Sequence, residues 1–159
     1  MRSNALVLMS ALLICLVISN GPLIAQSKDR NNPTPLNSQV IKGFAGFDRS
    51  VHWYKLTAGP GELIVQMGVG CAEGYGYGTC NVGARFVLWD KNMKAVMDES
   101  LASSFVGGEG KTQSLILQNK QDFLLSIGHG SGRGVPGTYI IRFKGAIDLP
   151  PEESEEKDD

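Results

Sequence analysis

The stretch FDRSVHWYKLTAGPGELIVQM, residues 47–67, decides the fold. In an extended chain Val51, Trp53 and Lys55 point to one side and His52, Tyr54 and Leu56 to the other, and Leu63, Val65 and Met67 alternate with Ile64 and Gln66. Between the two runs, AGPG at 58–61 interrupts the chain, because glycine permits a positive φ and proline has no N–H. Alternation on both sides of a Gly/Pro turn predicts antiparallel strands at 51–56 and 62–67.

The rest of the chain repeats this format of short alternating runs separated by turn residues. Further strands are predicted at 40–44, 84–89, 94–97, 111–117, 122–127 and 138–144. About eight short strands without an amphipathic helix predict an all-β fold, an antiparallel β-sandwich or jelly roll. The predicted core between its two sheets consists of Trp53, Leu63, Val65, Phe86, Leu88, Leu115, Leu125, Tyr139 and Ile141.

The N-terminal 25 residues have the pattern of a secretory signal peptide. Arg2 precedes an apolar run from Ala5 to Ile18, and LIA at 23–25 suits cleavage after Ala25. An uncleaved membrane anchor is the alternative, although the run is short for a span of about 20 residues. We therefore expect an exported protein, periplasmic, at the cell surface or extracellular, that contacts a membrane only if this segment is retained.

Three further regions follow the signal. Residues 26–39 are polar and read as a linker, residues 40–148 form the predicted sandwich domain, and residues 149–159 form an acidic tail expected to be disordered. Residues 26–148 carry 13 Lys/Arg and 10 Asp/Glu. This small and scattered positive excess argues against a nucleic-acid partner.

Two cysteines, Cys71 and Cys80, remain after removal of the signal. In an oxidising compartment an even pair close in sequence predicts one disulfide. A metal site would need further thiols or histidines nearby, and redox catalysis usually uses a shorter Cys-x-x-Cys spacing.

Four segments, FDRSVHWYKLTAGPGEL (47–63), FVLWDKNM (86–93), DFLLSI (122–127) and GTYIIRF (137–143), together resemble the bacterial pre-peptidase C-terminal (PPC) domain. That family is similar to the collagen-binding domains of clostridial collagenases in its jelly-roll sandwich. The resemblance spans about residues 40–145 and implies a secreted, non-catalytic binding or accessory module. Some relatives bind calcium through acidic residues, whereas Ala84-Arg85 stands here where members often place an acid.

Calcium is the one cofactor that the sequence brings into question. Oxygen ligands could come from Asp90, Asn92, Asp98 and Glu99. The alternative is an ordinary turn at 90–93, in which the first-position aspartate caps backbone N–H groups. No other cofactor is expected.

Catalysis is not expected. The histidines are His52 and His129, and Ser131 lies in GHGSG without the Gly-x-Ser-x-Gly register or a following helix. A small secreted hydrolase is therefore the least supported alternative. The glycines of 128–137 are followed by a strand rather than by the helix N-terminus that a phosphate cradle requires, and a long hairpin loop is the simpler interpretation.

Aromatic side chains mark the candidate ligand-binding positions. Tyr75 and Tyr77 alternate with glycine between the cysteines, and Trp89 ends a predicted strand. Such side chains stack on sugar rings or on partner proteins, or they fold back over a sheet edge. The predicted function is an exported binding or accessory module with an unknown protein or glycan partner, and the alternative is a carbohydrate-binding module.

We expect the exported chain to begin at Gln26, because a small residue at the last signal position is what the signal peptidase requires. N-terminal sequencing of the exported protein tests this. A chain that still begins at Met1 in the membrane fraction would instead support the anchor.

We expect Cys71 and Cys80 to form a disulfide that closes a short loop and stabilises the fold by about 2–3 kcal/mol. Intact-mass measurement after alkylation, with and without prior reduction, checks the bond. Two alkylated thiols in freshly isolated, unreduced protein would contradict it.

Overall fold

The computed structural model describes residues 26–45, 50–71, 81–103, 109–130 and 137–149. The described residues form strands and no helix. They therefore contain no helix that could cross a membrane. The strands are β1 (Thr34–Pro35), β2 (Val40–Ala45), β3 (His52–Cys71), β4 (Val82–Trp89), β5 (Ala95–Ser103), β6 (Glu109–Leu117), β7 (Gln121–His129) and β8 (Gly137–Asp148). The prediction of an all-β fold of about eight strands is confirmed.

The predicted division into two strands at AGPG is wrong, because residues 52–71 form one continuous bent strand, β3. Its first half, His52–Ala58, pairs with β7, and its second half pairs with β6 and β8, while the end of β8 also pairs with Thr57 and Ala58. Gly59 and Gly61 have φ values of 97° and 121°, and the Gly59–Pro60 peptide is cis. The glycines do redirect the chain, as predicted, but the two halves find different partners far away in sequence.

The bend in β3 divides the sheet into two layers. Layer 1 contains β1, the first half of β3, β7, β4 and β5. Layer 2 contains β6, the second half of β3, β8 and β2. The layers face each other, since the rings of Phe86 on β4 and Tyr139 on β8 meet edge to face with centroids 6.2 Å apart. The arrangement is therefore a β-sandwich whose layers share one strand.

The core follows the period-two alternation of each strand. On β8, Tyr139, Ile141 and Phe143 are buried between the layers. Of the nine predicted core residues, seven are buried and Leu115 is partly buried against them. The prediction that Trp53 belongs to the core is wrong: its side chain is half-buried, and that of its neighbour Tyr54 lies in the core instead. Alternation identified the two faces of this strand but not which of them turns inward.

The predicted linker at 26–39 is wrong over much of its length. The Trp53 N–H donates to the Ser27 carbonyl, and the Leu36 N–H donates to the Lys55 carbonyl, both at 2.8 Å. Between these contacts β1 pairs in parallel with β3. Leu36 is buried. One leucine and a few backbone hydrogen bonds suffice to hold this polar segment against a sheet edge that would otherwise have unpaired groups.

The other differences concern strand lengths. Residues 98–103 and 109–110, which no predicted strand included, form the second part of β5 and the start of β6. Met97, Leu101 and Ser103 alternate inward on β5, so the strand is held by burial on one face. The predicted signal peptide at 1–25 and most of the predicted tail at 149–159 lie outside the described residues.

Truncation of Phe86 to alanine should lower the free energy of unfolding by about 3–5 kcal/mol, because a fully buried aromatic ring leaves a cavity. Phe86 is 1% exposed. Ile116→Ala is the matched control, since Ile116 is 64% exposed on β6 and should change stability by under about 0.5 kcal/mol. Urea denaturation of both variants measures the difference. Equal effects would contradict this assignment of the core.

Candidate functional site

The outer surface of layer 2 contains a groove of about 350 Å³. Its floor lies where glycines adjoin across paired strands. Gly68 on β3 pairs with Gly110 on β6 on one side and with Ile140 on β8 on the other. Gly70, next along β3, pairs with Thr138. Because these glycines carry no side chains, the sheet surface is recessed along them.

The walls of the groove come from outward residues of the same strands. Gln66 on β3 pairs with Arg142 on β8. Arg142 and Thr138 are exposed, whereas Gln66 is half-buried. The Gln66 carboxamide forms no hydrogen bond with any described residue. The groove therefore offers an amide, a hydroxyl and a guanidinium to a ligand.

The adjoining strand β2 extends this surface. Lys42 pairs with Ile140, and Phe44 pairs with Thr138, so both lie beside the groove on the outer face. Phe44 is 65% exposed, an unusual position for a phenylalanine in a paired strand. We call the outer surface formed by Lys42, Phe44, Gln66, Gly68, Gly70, Gly110, Thr138, Ile140 and Arg142 the groove face.

Both charged side chains of the groove face, those of Lys42 and Arg142, are cations. Lys42, Arg142 and the neighbouring Lys144 have no carboxylate partner among the described residues. Away from the groove face, Arg85 holds Asp98 through two hydrogen bonds of 2.6 and 2.9 Å. The Arg85 hydrogen bonds keep the pKa of Asp98 below its ordinary value. The positive charge of the groove face is therefore left available to an anion.

Of the three aromatic residues proposed from the sequence as ligand-binding, one is described. Trp89 ends β4 in layer 1, and its indole N–H donates to the Ser126 hydroxyl at 2.9 Å. Trp89 is half-buried and does not belong to the groove face. Tyr75 and Tyr77 lie outside the described residues.

The candidate calcium ligands have other partners. Asp90 Oδ1 accepts hydrogen bonds from the N–H groups of Asn92 and Lys94, as expected for the turn alternative. Asp98 pairs with Arg85, and Glu99 accepts hydrogen bonds from Lys111 and Gln113. No group of three or more His, Cys, Asp or Glu suited to a metal occurs within the described ranges. The structure thus does not gather these four residues into one site.

Cys71 is buried at the end of β3, where it pairs with Gly137 of β8. Its predicted partner Cys80 lies outside the described residues, so the disulfide stays a prediction. Cys71 also lines the groove, at the end of β3.

A polar cluster joins the two layers near the N-terminal segment. His52 Nδ1 lies 3.2 Å from the Tyr139 hydroxyl, which lies 3.4 Å from the Tyr54 hydroxyl. The Gln26 side chain also hydrogen-bonds Tyr139. Burial is the main cause that raises the pKa of the Tyr139 phenol, and its hydrogen bond with Tyr54 adds to the rise. Tyr139 therefore stays neutral at physiological pH.

This cluster does not have the form of a hydrolase triad. Ser50 Oγ lies 3.4 Å from His52 Nε2, at the long limit of a hydrogen bond. The group on the other ring nitrogen is a neutral phenol, whereas a triad places a carboxylate there to stabilise the imidazolium. His129 is exposed at the end of β7, and Ser131 lies outside the described residues. His52 is thus a packed histidine.

A second, smaller cavity of about 240 Å³ lies between the N-terminal segment and β2. Leu36 and Ile41 contribute apolar walls, and Gln26 and Tyr54 contribute polar groups. The hydroxyl of Tyr54 is already engaged by Tyr139. Thr34, Asn37, Ser38 and Lys42 also line this cavity, which is smaller than the groove.

The sequence analysis did not predict the groove residues, although the alternation along β8 contained part of the information. The alternation that placed Tyr139, Ile141 and Phe143 on one face of β8 necessarily placed Arg142 on the other. Nothing local brings Lys42 beside this strand, because β2 and β8 are separated by about a hundred residues.

No protein-family model and no curated protein matches this chain. Among solved structures, the chain is similar to the pre-peptidase C-terminal domain of a collagenase from Bacillus anthracis. The two are 15% identical over 71% of this chain and 93% of that domain, with a TM-score of 0.45. A CBM4 structure is 7% identical over 67% of this chain and 71% of that one, with a TM-score of 0.44. The predicted resemblance to the PPC domain is confirmed for the fold alone.

Proposed function

We propose that this chain is an exported, non-catalytic binding module and that the groove face is its ligand-binding surface. The observation that carries the proposal is the recess over Gly68, Gly70 and Gly110, which Arg142 lines and beside which the exposed Phe44 lies on the adjoining strand. Concave surfaces with a few converging polar groups are the usual form of small-ligand and oligomer sites.

The chemistry of the groove favours binding over catalysis. Arg142 is the one ionisable residue among the described outward-facing residues that line the groove. A guanidinium remains protonated at working pH, so it attracts anions but does not exchange protons with a substrate. The remaining outward groups, the Gln66 amide and the Thr138 hydroxyl, donate and accept hydrogen bonds. Such a set recognises a ligand without supplying a general acid or base.

The surface is also preorganised. Each outward residue of the groove alternates with a buried one on the same strand, as Arg142 does with Ile141 and Phe143. Sites on rigid paired strands lose less conformational entropy on binding than sites on free loops. Export is supported by the signal-like sequence at 1–25, whose predicted cleavage would leave Gln26 to pack against Tyr139.

Gly68→Val should abolish ligand binding and leave the fold intact. The added side chain fills the floor of the groove, and a β-branched residue suits a strand position whose φ is not positive. We expect at least a tenfold loss of affinity and a melting temperature within a few degrees of the wild-type value. Affinity electrophoresis against polygalacturonate, alginate, xylan, dextran and soluble collagen measures binding.

Ser100→Val is the matched control, because Ser100 is exposed on the outer side of β5 in layer 1. It adds similar bulk to a strand away from the groove and should leave binding unchanged. A polymer that binds wild type and Gly68→Val equally well would place the binding surface elsewhere.

A further inference from the structure

The cations beside the groove form a line. Arg142 and Lys144 alternate along β8 and so lie on the same face, about 7 Å apart along the strand. Lys42 pairs with Ile140 and is therefore diagonal to Arg142, at about 7–8 Å. All three are exposed, and no carboxylate in the described part of the chain pairs with them. The line runs along β8, in the direction of the outward-facing residues that begin at Thr138.

Negative charge is nearly absent from the same surface. Glu62 carries the one carboxylate among the described side chains on the outer face of layer 2. It pairs with Ile116 at the far side of the layer. The cations of layer 1, by contrast, include Arg85, which is neutralised by Asp98 across a strand pair. A surface with this distribution attracts a ligand that carries several negative charges in a row.

The uncharged part of the groove face restricts the class of that ligand. Phe44 presents an exposed aromatic face next to Thr138, and an apolar ring face stacks well on it. The glycine floor allows a flat ring to approach the backbone closely. The free Gln66 carboxamide and the Thr138 hydroxyl suit hydroxyl groups on such a ring.

We infer that the groove face binds an acidic polysaccharide, a chain of uronic acid residues whose carboxylates meet Lys42, Arg142 and Lys144. The inference rests on the proposed function and names its ligand class. Sugar rings supply both the apolar faces and the hydroxyls, and a carboxylate on each ring supplies the regular charge. Arg142 binds a planar carboxylate through two parallel hydrogen bonds.

Other polyanions match the surface less well. An extended peptide binds a sheet through the backbone groups of an edge strand, whereas the groove lies on the face of paired strands. A lipid bilayer presents a flat surface that does not enter a recess. Single-stranded nucleic acid shares the charge and the stacking, but it is usually bound by several aromatic side chains in sequence, and Phe44 is the exposed aromatic described on this face.

Isothermal titration of the purified chain with hexagalacturonate tests the inference, and the methyl-esterified hexamer is the matched neutral ligand. We expect esterification to weaken binding at least tenfold, because it removes the carboxylates and keeps the rings. Raising the salt concentration from 50 to 500 mM should also weaken binding of the acidic hexamer, since salt screens exposed charges.

Variants then assign the effect to residues. Arg142→Gln and Lys42→Gln should each weaken hexagalacturonate binding about tenfold or less, and Phe44→Ala should weaken binding of both hexamers. Lys55→Gln is the matched control, because Lys55 is a strand lysine exposed on the outer side of layer 1 and has no ion-pair partner among the described residues. It should leave binding unchanged.

The outcomes separate this inference from the proposed function. Equal binding of both hexamers, with loss in Gly68→Val, would overturn the acidic ligand and leave the groove as the binding surface. If Gly68→Val still binds hexagalacturonate as the wild type does, both the groove as the binding surface and the inferred ligand site are overturned. Failure of the wild-type chain to bind hexagalacturonate, or tighter Arg142-dependent binding of oligo-dT or of phosphatidylserine vesicles, would overturn the polysaccharide.

Discussion

The sandwich depends on one constraint, the bend that carries β3 from layer 1 to layer 2. Gly59 and Gly61 hold positive φ values there, a conformation that side chains with a Cβ rarely adopt. Space is limiting as well, because a Cβ at Gly59 would lie 2.5 Å from the Asn119 carbonyl oxygen, and one at Gly145 on β8 would collide with the Glu62 carbonyl. The glycines of both strands therefore let the chain turn where the layers meet.

The bend also couples the core to the groove. Beyond the bend, β3 lies between β6 and β8, so the strand that closes the core also forms the floor of the groove. Val65, Met67 and Val69 point inward, and Gln66 and Gly68 point outward. Packing on one face thus holds the binding groups on the other, because a slip of one residue in register would exchange the two sets.

The polar cluster at Tyr139 plays a different part. Tyr139 from layer 2 meets His52 and Tyr54 from layer 1, so these contacts between polar side chains cross from one layer to the other. Neutral phenols satisfy these hydrogen bonds without burying a charge, and burial in turn keeps the pKa of Tyr139 high. The cluster aligns the layers. Charged groups lie at the surface: Arg85 pairs with Asp98 on layer 1, whereas Lys42 and Arg142 on the groove face have no carboxylate partner among the described residues.

The sequence by itself determined the all-β class, most strand positions and most of the core, because alternation is a local property that burial of one face imposes. It also marked residues 58–61 as a change of direction, since glycine and proline act locally. Only the tertiary structure decided that this change is a bend between layers, that Leu36 and β1 complete a sheet edge, and that Lys42 lies beside Arg142. Each of these depends on pairing between distant segments, and pairing is selected by the burial and hydrogen bonding of the whole sandwich rather than by neighbouring residues.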